Sequence, residues 1–167
     1  MFQPGEKIVY GTTGVCTVQE VTPRDDLPGT APGTLYYALE PLSGSGIIYL
    51  PVDATVFMRP VITRQEAEAL VARIPEMAAE AYHQRNLQML RNHYQEVLQS
   101  HDCEKLLELT MSIHVKEKQA IKAGRKLGQI DARFQKRAEE LLWGELAAAL
   151  EIPVEAVPRY IQEKAGR

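Results

Sequence analysis

The chain has few of the residues on which several classes of protein depend. Its 167 residues include two cysteines, one tryptophan and four histidines. Cys16 and Cys103 lie far apart and form no Cys-x-x-Cys pair, so the sequence indicates neither a disulfide framework nor a zinc site. Because sparing use of cysteine is typical of proteins in a reducing compartment, we expect a cytoplasmic location.

Long apolar runs and a strong charge excess are also missing. No apolar run approaches the roughly 20 residues that span a bilayer, and no basic segment followed by an apolar one opens the sequence. We therefore expect no membrane partner. The 19 basic and 22 acidic residues give a net charge of -3, which argues against a protein that coats DNA non-specifically.

Catalytic and metal-binding motifs are absent from the sequence. Residues 29–34 lack the Gly-Lys-Ser/Thr ending of a phosphate-binding loop, and the histidines form no His-Glu-x-x-His pattern. The run His101-Asp102-Cys103 offers too few ligands for a closed zinc site. We predict no catalytic residues, no metal site and no cofactor, and we expect the protein not to be an enzyme.

The first sixty residues have the composition of short β-strands. β-Branched and aromatic residues form five runs, and Gly and Pro separate them. The sequence therefore predicts an α+β fold that begins with a small SH3-like or Tudor-like β-barrel over residues 1–62. The predicted strands are 8–10, 15–21, 34–40, 46–52 and 55–59. Cys16 in the second of them is expected to be a small core hydrophobe.

From Thr63 onward the apolar residues recur at helical spacing. Thr63 with Glu66 three residues later is a capping-box pattern, which opens an all-helical domain over residues 63–167. Asp102 and Asp131 are the predicted starts of the third and fourth helices, and a short last helix is expected to bury Val154, Val157 and Ile161. The predicted helices are 64–73, 75–98, 102–124, 131–149 and one after Pro153.

Positive charge is concentrated in one part of the helical half. Residues 116–137 hold eight basic and two acidic side chains, a local charge of +6. Such a cluster suits contact with phosphates, although solvated helix faces explain it equally well. No pattern of Asn, Gln and Arg typical of a recognition helix is present, so we expect any DNA contact to be largely non-sequence-specific.

Four ordered sequence blocks resemble the CarD family of bacterial transcription regulators, whose barrel is shared with transcription-repair coupling factors. The first is the opening pattern Phe-x-x-Gly-Glu-x-Ile-Val-Tyr-x-x-x-Gly-Val over residues 2–15. The second is Tyr-Leu-Pro-Val over 49–52, and the others are Gly-Arg-Lys-Leu over 124–127 and the Ala-Glu-Glu-Leu-Leu block over 138–147. The resemblance covers nearly the whole chain.

The resemblance implies that the barrel binds the β subunit of RNA polymerase by adding a strand to its sheet. The implied polymerase-binding residues are Arg24, Ile48, Tyr49, Leu50 and Pro51. Tyr49 stands where well-studied members carry a second arginine, so it is either an aromatic anchor or a barrel side chain.

The resemblance also implies that the helical part contacts promoter DNA near the upstream edge of the melted region. Well-studied members insert a tryptophan into the minor groove there, and this chain has none at that position. One alignment places Leu87 there, and another places Tyr82 or His83 there. Leu87 and Tyr82 are each either a wedge or a core residue. Trp143, the single tryptophan, is predicted to serve packing. The implied DNA-binding residues are Tyr82, Arg85, Leu87, Arg91, Lys122, Arg125 and Lys126.

The resemblance leads to the hypothesis of a CarD-like transcription regulator that binds polymerase and DNA and modulates open-complex stability. The alternative is a protein-interaction adaptor that binds polymerase without productive DNA contact, which the missing tryptophan would explain. The sequence does not determine whether the chain dimerises, and a monomer is the working expectation.

Overall fold

The computed structural model describes residues 1–166. The chain divides into two compact units, Met1–Val61 and Ile62–Arg167. The first contains five β-strands and the second five α-helices. The predicted α+β class, with a small barrel-like sheet followed by a helical part, is confirmed.

The N-terminal unit is one antiparallel sheet with the strand order β4-β3-β2-β1-β5. Antiparallel strands can be joined by short glycine-containing turns, and this sequence places Gly11 and Gly14 between the first two strands and Gly44 and Gly46 between the third and fourth. The strands are β1 Lys7–Tyr10, β2 Gly14–Pro23, β3 Leu35–Pro41, β4 Ile48–Pro51 and β5 Met58–Pro60. The fourth and fifth strands are thus shorter than the predicted 46–52 and 55–59.

Alternate side chains of the strands form the core of this unit. The buried residues of this core are Ile8, Cys16, Val18, Tyr37, Leu39 and Leu50. Burial of the Cys16 thiol raises its pKa to about 11, which keeps it protonated at neutral pH. The prediction that Cys16 is a small core hydrophobe is confirmed.

The helical unit contains α1 Arg64–Arg73, α2 Leu87–Gln99, α3 Cys103–Lys122, α4 Gln129–Leu150 and α5 Val157–Ala165. The capping box predicted at Thr63 is present, because Thr63 accepts the Glu66 N–H at 3.0 Å and Glu66 accepts the Thr63 N–H at 3.0 Å. Asp102 caps α3 by accepting two backbone N–H groups.

The predicted helix over 75–98 is wrong in its first half. Pro75 lies in a 3₁₀ turn, Ile74–Glu76, and residues 77–86 form no regular element before α2 begins. The Glu80 carbonyl accepts the Ser112 hydroxyl of α3 at 2.7 Å, and the Asn86 side chain caps α2 through the Met89 N–H at 3.1 Å. These side-chain bonds give the backbone of this segment partners outside a helix.

Helix α4 begins at Gln129 and not at Asp131 as predicted. Asp131 is 5% exposed and takes part in a buried hydrogen-bond network instead of capping the helix. In the last helical region Val157 is buried, whereas Val154 and Ile161 are only half-buried, contrary to the prediction for these two residues.

The buried network joins three helices through one carboxylate. Asp131 Oδ1 accepts the Tyr94 hydroxyl from α2 at 2.5 Å and the Lys116 ammonium from α3 at 3.0 Å. The Tyr94 ring also lies 5.3 Å from the Phe134 ring of α4. Burial, and the hydrogen bond to Asp131, raise the pKa of Tyr94 well above its ordinary value, so the phenol stays a donor.

Loss of the Asp131 carboxylate should therefore destabilise the helical unit strongly. We expect Asp131→Ala to lower the free energy of unfolding by roughly 3–5 kcal/mol, because it leaves a buried ammonium and a buried phenol without their acceptor. Glu140→Ala removes an exposed carboxylate from the same helix, where it pairs with Arg137, and should cost less than about 1 kcal/mol. Urea unfolding measures both, and similar small losses would contradict the role assigned to Asp131.

Candidate functional site

Strand β4 is an outer strand of the sheet and carries four of the residues implied to bind polymerase. Its described neighbour is β3, with Tyr37 opposite Leu50 and Ala38 opposite Tyr49. Leu50 is 8% exposed and Ile48 packs against the same core, so their side chains face inward. Tyr49 is 36% exposed and lies on the opposite face.

The hydrogen-bond pattern shows which backbone groups of β4 face outward. The Val52 N–H donates to the Leu35 carbonyl at 3.1 Å, which makes these two residues a hydrogen-bonded pair. In an antiparallel ladder such pairs alternate with non-bonded pairs. Tyr49 therefore falls in a non-bonded pair, and its N–H and carbonyl point to the free edge. Pro51 shares this orientation but has no N–H to donate.

Arg24 makes two side-chain interactions, one with Tyr49 and one with Asp26. Its guanidinium carbon lies 3.9 Å from the centroid of the Tyr49 ring, a cation–π geometry. Its Nε and Nη2 atoms donate to the two carboxylate oxygens of Asp26 at 2.8 and 2.7 Å. The structure thus brings together Arg24 and Tyr49, the two polymerase-contact candidates that lie in different parts of the sequence.

The paired charges stabilise each other's ionised forms. The hydrogen bonds from Arg24 lower the pKa of Asp26 to about 2, and those to Asp26 raise the pKa of Arg24 above its ordinary value. Arg24 is 23% exposed and Asp26 is 66% exposed. At neutral pH the two side chains therefore form an ion pair in which the carboxylate is the more accessible group. Sequence reasoning missed Asp26, and the only available signal was its spacing of two residues from Arg24 in a turn-rich loop.

The candidate DNA-contacting residues of the helical unit differ in accessibility. Tyr82 is half-buried and stacks on His93 of α2, with ring centroids 3.8 Å apart and planes at 17°. Leu87 opens α2 with 55% of its surface exposed. Arg85 and Arg91 on either side of it are also exposed. Of the two wedge candidates, the geometry thus favours Leu87.

A basic cleft of about 210 Å³ lies where the end of α3 meets the start of α4. It contains Arg125 and Lys126, both exposed, together with His83 from the segment next to Tyr82. His83 Nε2 lies 3.2 Å from Gln119 Oε1, which ties that segment to α3. Lys122, in the last turn of α3, is exposed but does not line the cleft.

The charge available to a ligand is smaller than the sequence suggests. Lys116 lines the cleft, but its ammonium is bonded to buried Asp131 and its side chain is 14% exposed. Arg137 pairs with Glu140. Burial thus removes Lys116 from the accessible cations of residues 116–137. The net charge of +6 already includes Asp131, so it is lowered only by Glu140, which partly offsets the charge of Arg137.

Two further findings concern residues 1–166. No helix there has the length and apolar character needed to cross a bilayer. The same residues contain no group of three His, Cys, Asp or Glu side chains placed to hold a metal ion.

Comparison with protein-family models identifies the first unit. Residues 2–62 match the CarD-like/TRCF RID domain, which is a non-enzymatic interaction domain. No curated protein matched the chain. At the level of the family, the match supports a CarD-like regulator that interacts with RNA polymerase. The β4 edge, Arg24 and Tyr49 all lie within the matched residues, and the match supports a CarD-like assignment of this domain.

Proposed function

We propose that residues 1–62 bind the β subunit of RNA polymerase by pairing the free edge of β4 with a strand of the partner. The single observation that supports this most strongly is the outward orientation of the Tyr49 backbone on an outer strand of a domain whose family interacts with polymerase. In such strand addition the backbone hydrogen bonds provide affinity, and neighbouring side chains provide specificity for the partner. Ile48 and Leu50 fix the register of the edge, because their side chains belong to the core and their backbone groups face β3.

We further propose that residues 63–167 contact promoter DNA near the upstream edge of the bubble and modulate open-complex stability. Leu87 is the wedge that enters the minor groove, because an exposed leucine can unstack a base step. Arg85 and Arg91 flank it and are accessible to phosphates. The cleft at Arg125 and Lys126 contacts the backbone of the same DNA, without reading its sequence.

A second candidate function is an adaptor that binds polymerase without productive DNA contact. Its support is the reduced accessibility of two side chains of the helical unit, since Lys116 is bound to buried Asp131 and Tyr82 is stacked on His93. The two candidates differ in whether the helical unit changes the lifetime and salt dependence of a promoter complex.

Replacing Tyr49 tests strand pairing at the β4 edge. Tyr49→Ala removes the ring but keeps the outward N–H, whereas Tyr49→Pro removes both, and proline is tolerated on edge strands. We expect Tyr49→Pro to bind core RNA polymerase at least about tenfold more weakly than Tyr49→Ala, because it loses a backbone hydrogen bond and obstructs the approaching strand. Equal affinities of the two variants in a titration with the full-length chain would contradict pairing at this edge.

Truncating Leu87 tests the wedge. We expect Leu87→Ala to shorten the lifetime of the open complex several-fold, since less apolar surface then holds the unstacked step apart. Met89→Ala is a matched control, because Met89 lies on the same helical turn with 53% exposure but points in a different direction. Lifetimes are measured by promoter-complex decay in the presence of competitor. The wedge is excluded if both variants behave like the unmodified chain.

Charge reversal in the cleft tests backbone contact. We expect Arg125→Glu combined with Lys126→Glu to weaken promoter-complex binding and to reduce its salt slope by about 0.9 for each phosphate that the variant no longer neutralises. Arg133→Glu with Lys136→Glu makes the same change of charge at exposed positions of α4 outside the cleft. An unchanged slope for the cleft variant would favour the adaptor function.

A further inference from the structure

The β4 edge carries an acidic surface. The unit Met1–Val61 has three basic and six acidic side chains. Its other two cations are Lys7 in β1 and Arg59 in β5, which are three and four strands from β4 in the strand order. Asp25 and Asp26 are exposed next to the Arg24–Tyr49 pair. Next to Tyr49 there are therefore two exposed carboxylates and one largely covered cation.

Arg24 is poorly placed to be the main charge contact of that surface. Its Nε and Nη2 donors are occupied by the two oxygens of Asp26, and one face of its guanidinium covers the Tyr49 ring. Only 23% of its side chain is exposed. Asp26 holds the Nε–Nη2 edge in a bidentate pair, so a partner carboxylate is left with the Nη1–Nη2 edge of a largely covered side chain.

Asp26 has the opposite properties. Its side chain is 66% exposed, and each of its oxygens keeps acceptor capacity beyond the bond it takes from Arg24. The two-point bond to Arg24 fixes the carboxylate in one orientation, which reduces the conformational entropy lost when a further donor binds. Asp25 nearby is also anchored, because it accepts the Gly33 N–H at 3.1 Å.

From this geometry we infer that Asp26 is the charge contact of the β4 edge and that it pairs with a lysine or arginine on the polymerase strand that adds to β4. Arg24 and Tyr49 then act as positioning residues that hold the carboxylate in place. This inference rests on the proposed strand addition and specifies the chemistry of the partner surface. Electrostatic complementarity of this kind selects the partner and speeds its association.

Removing the charge of Asp26 distinguishes Asp26 from Arg24 as the charge contact, because the two assignments predict different changes in polymerase affinity. If Asp26 is the contact, Asp26→Asn weakens the binding of the full-length chain to core RNA polymerase about fivefold at low salt. Asp26→Lys then weakens it at least tenfold. If Arg24 is the contact, Asp26→Asn frees its guanidinium, and affinity stays the same or rises. An Asp26→Asn affinity that is unchanged or higher overturns the inference.

A matched variant and two further measurements complete the test. Glu155→Gln removes one exposed negative charge from the helical unit and should leave polymerase affinity unchanged. The affinity of Asp26→Asn should depend less on salt than that of the unmodified chain, and equal salt slopes would contradict the pairing. Urea unfolding verifies that Asp26→Asn is folded. If the unmodified chain does not bind polymerase, the proposed function fails together with this inference. If it binds and Asp26→Asn binds equally well, only the inference is overturned.

Discussion

Backbone pairing in the N-terminal sheet is the constraint on which the proposed polymerase contact depends. Each strand between the two outer ones is hydrogen-bonded on both sides, so the outer strands β4 and β5 present the free backbone groups of the sheet. The register that buries Leu50 also turns the Tyr49 side chain away from the core and its backbone toward the free edge. The alternation of residues along β4 thus determines which of its side chains enter the core and which of its backbone groups are accessible.

Side-chain pairing then determines what the β4 edge offers to a partner. Arg24 uses the ring of Tyr49 as a platform, while Asp26 occupies two of the guanidinium donors. Arg24, which would be free to bind a partner if it stood alone, is therefore held in place by Tyr49 and Asp26. The same principle operates in the helical unit, where Asp131 withdraws Lys116 from the basic cluster.

Local sequence signals predicted the elements whose stability comes from local interactions. The capping box at Thr63, the helix start at Asp102 and strands at the first β-branched and aromatic runs are all found in the structure. The helix predicted over 75–98 failed because residues 77–86 are held by contacts with other helices, such as the bond from Ser112 to the Glu80 carbonyl. Such contacts join residues far apart in sequence, and periodicity carries no information about them.

The sequence by itself determined the fold class, the core character of Cys16 and the family blocks, because composition and short-range spacing encode these properties. Only the tertiary structure decided which candidate residues are accessible. It buried the side chain of Leu50, exposed Leu87, stacked Tyr82 on His93 and joined Arg24 to Asp26 and Tyr49. The physical reason is that exposure and charge pairing depend on which elements pack together in space, and spacing along the chain does not specify that packing.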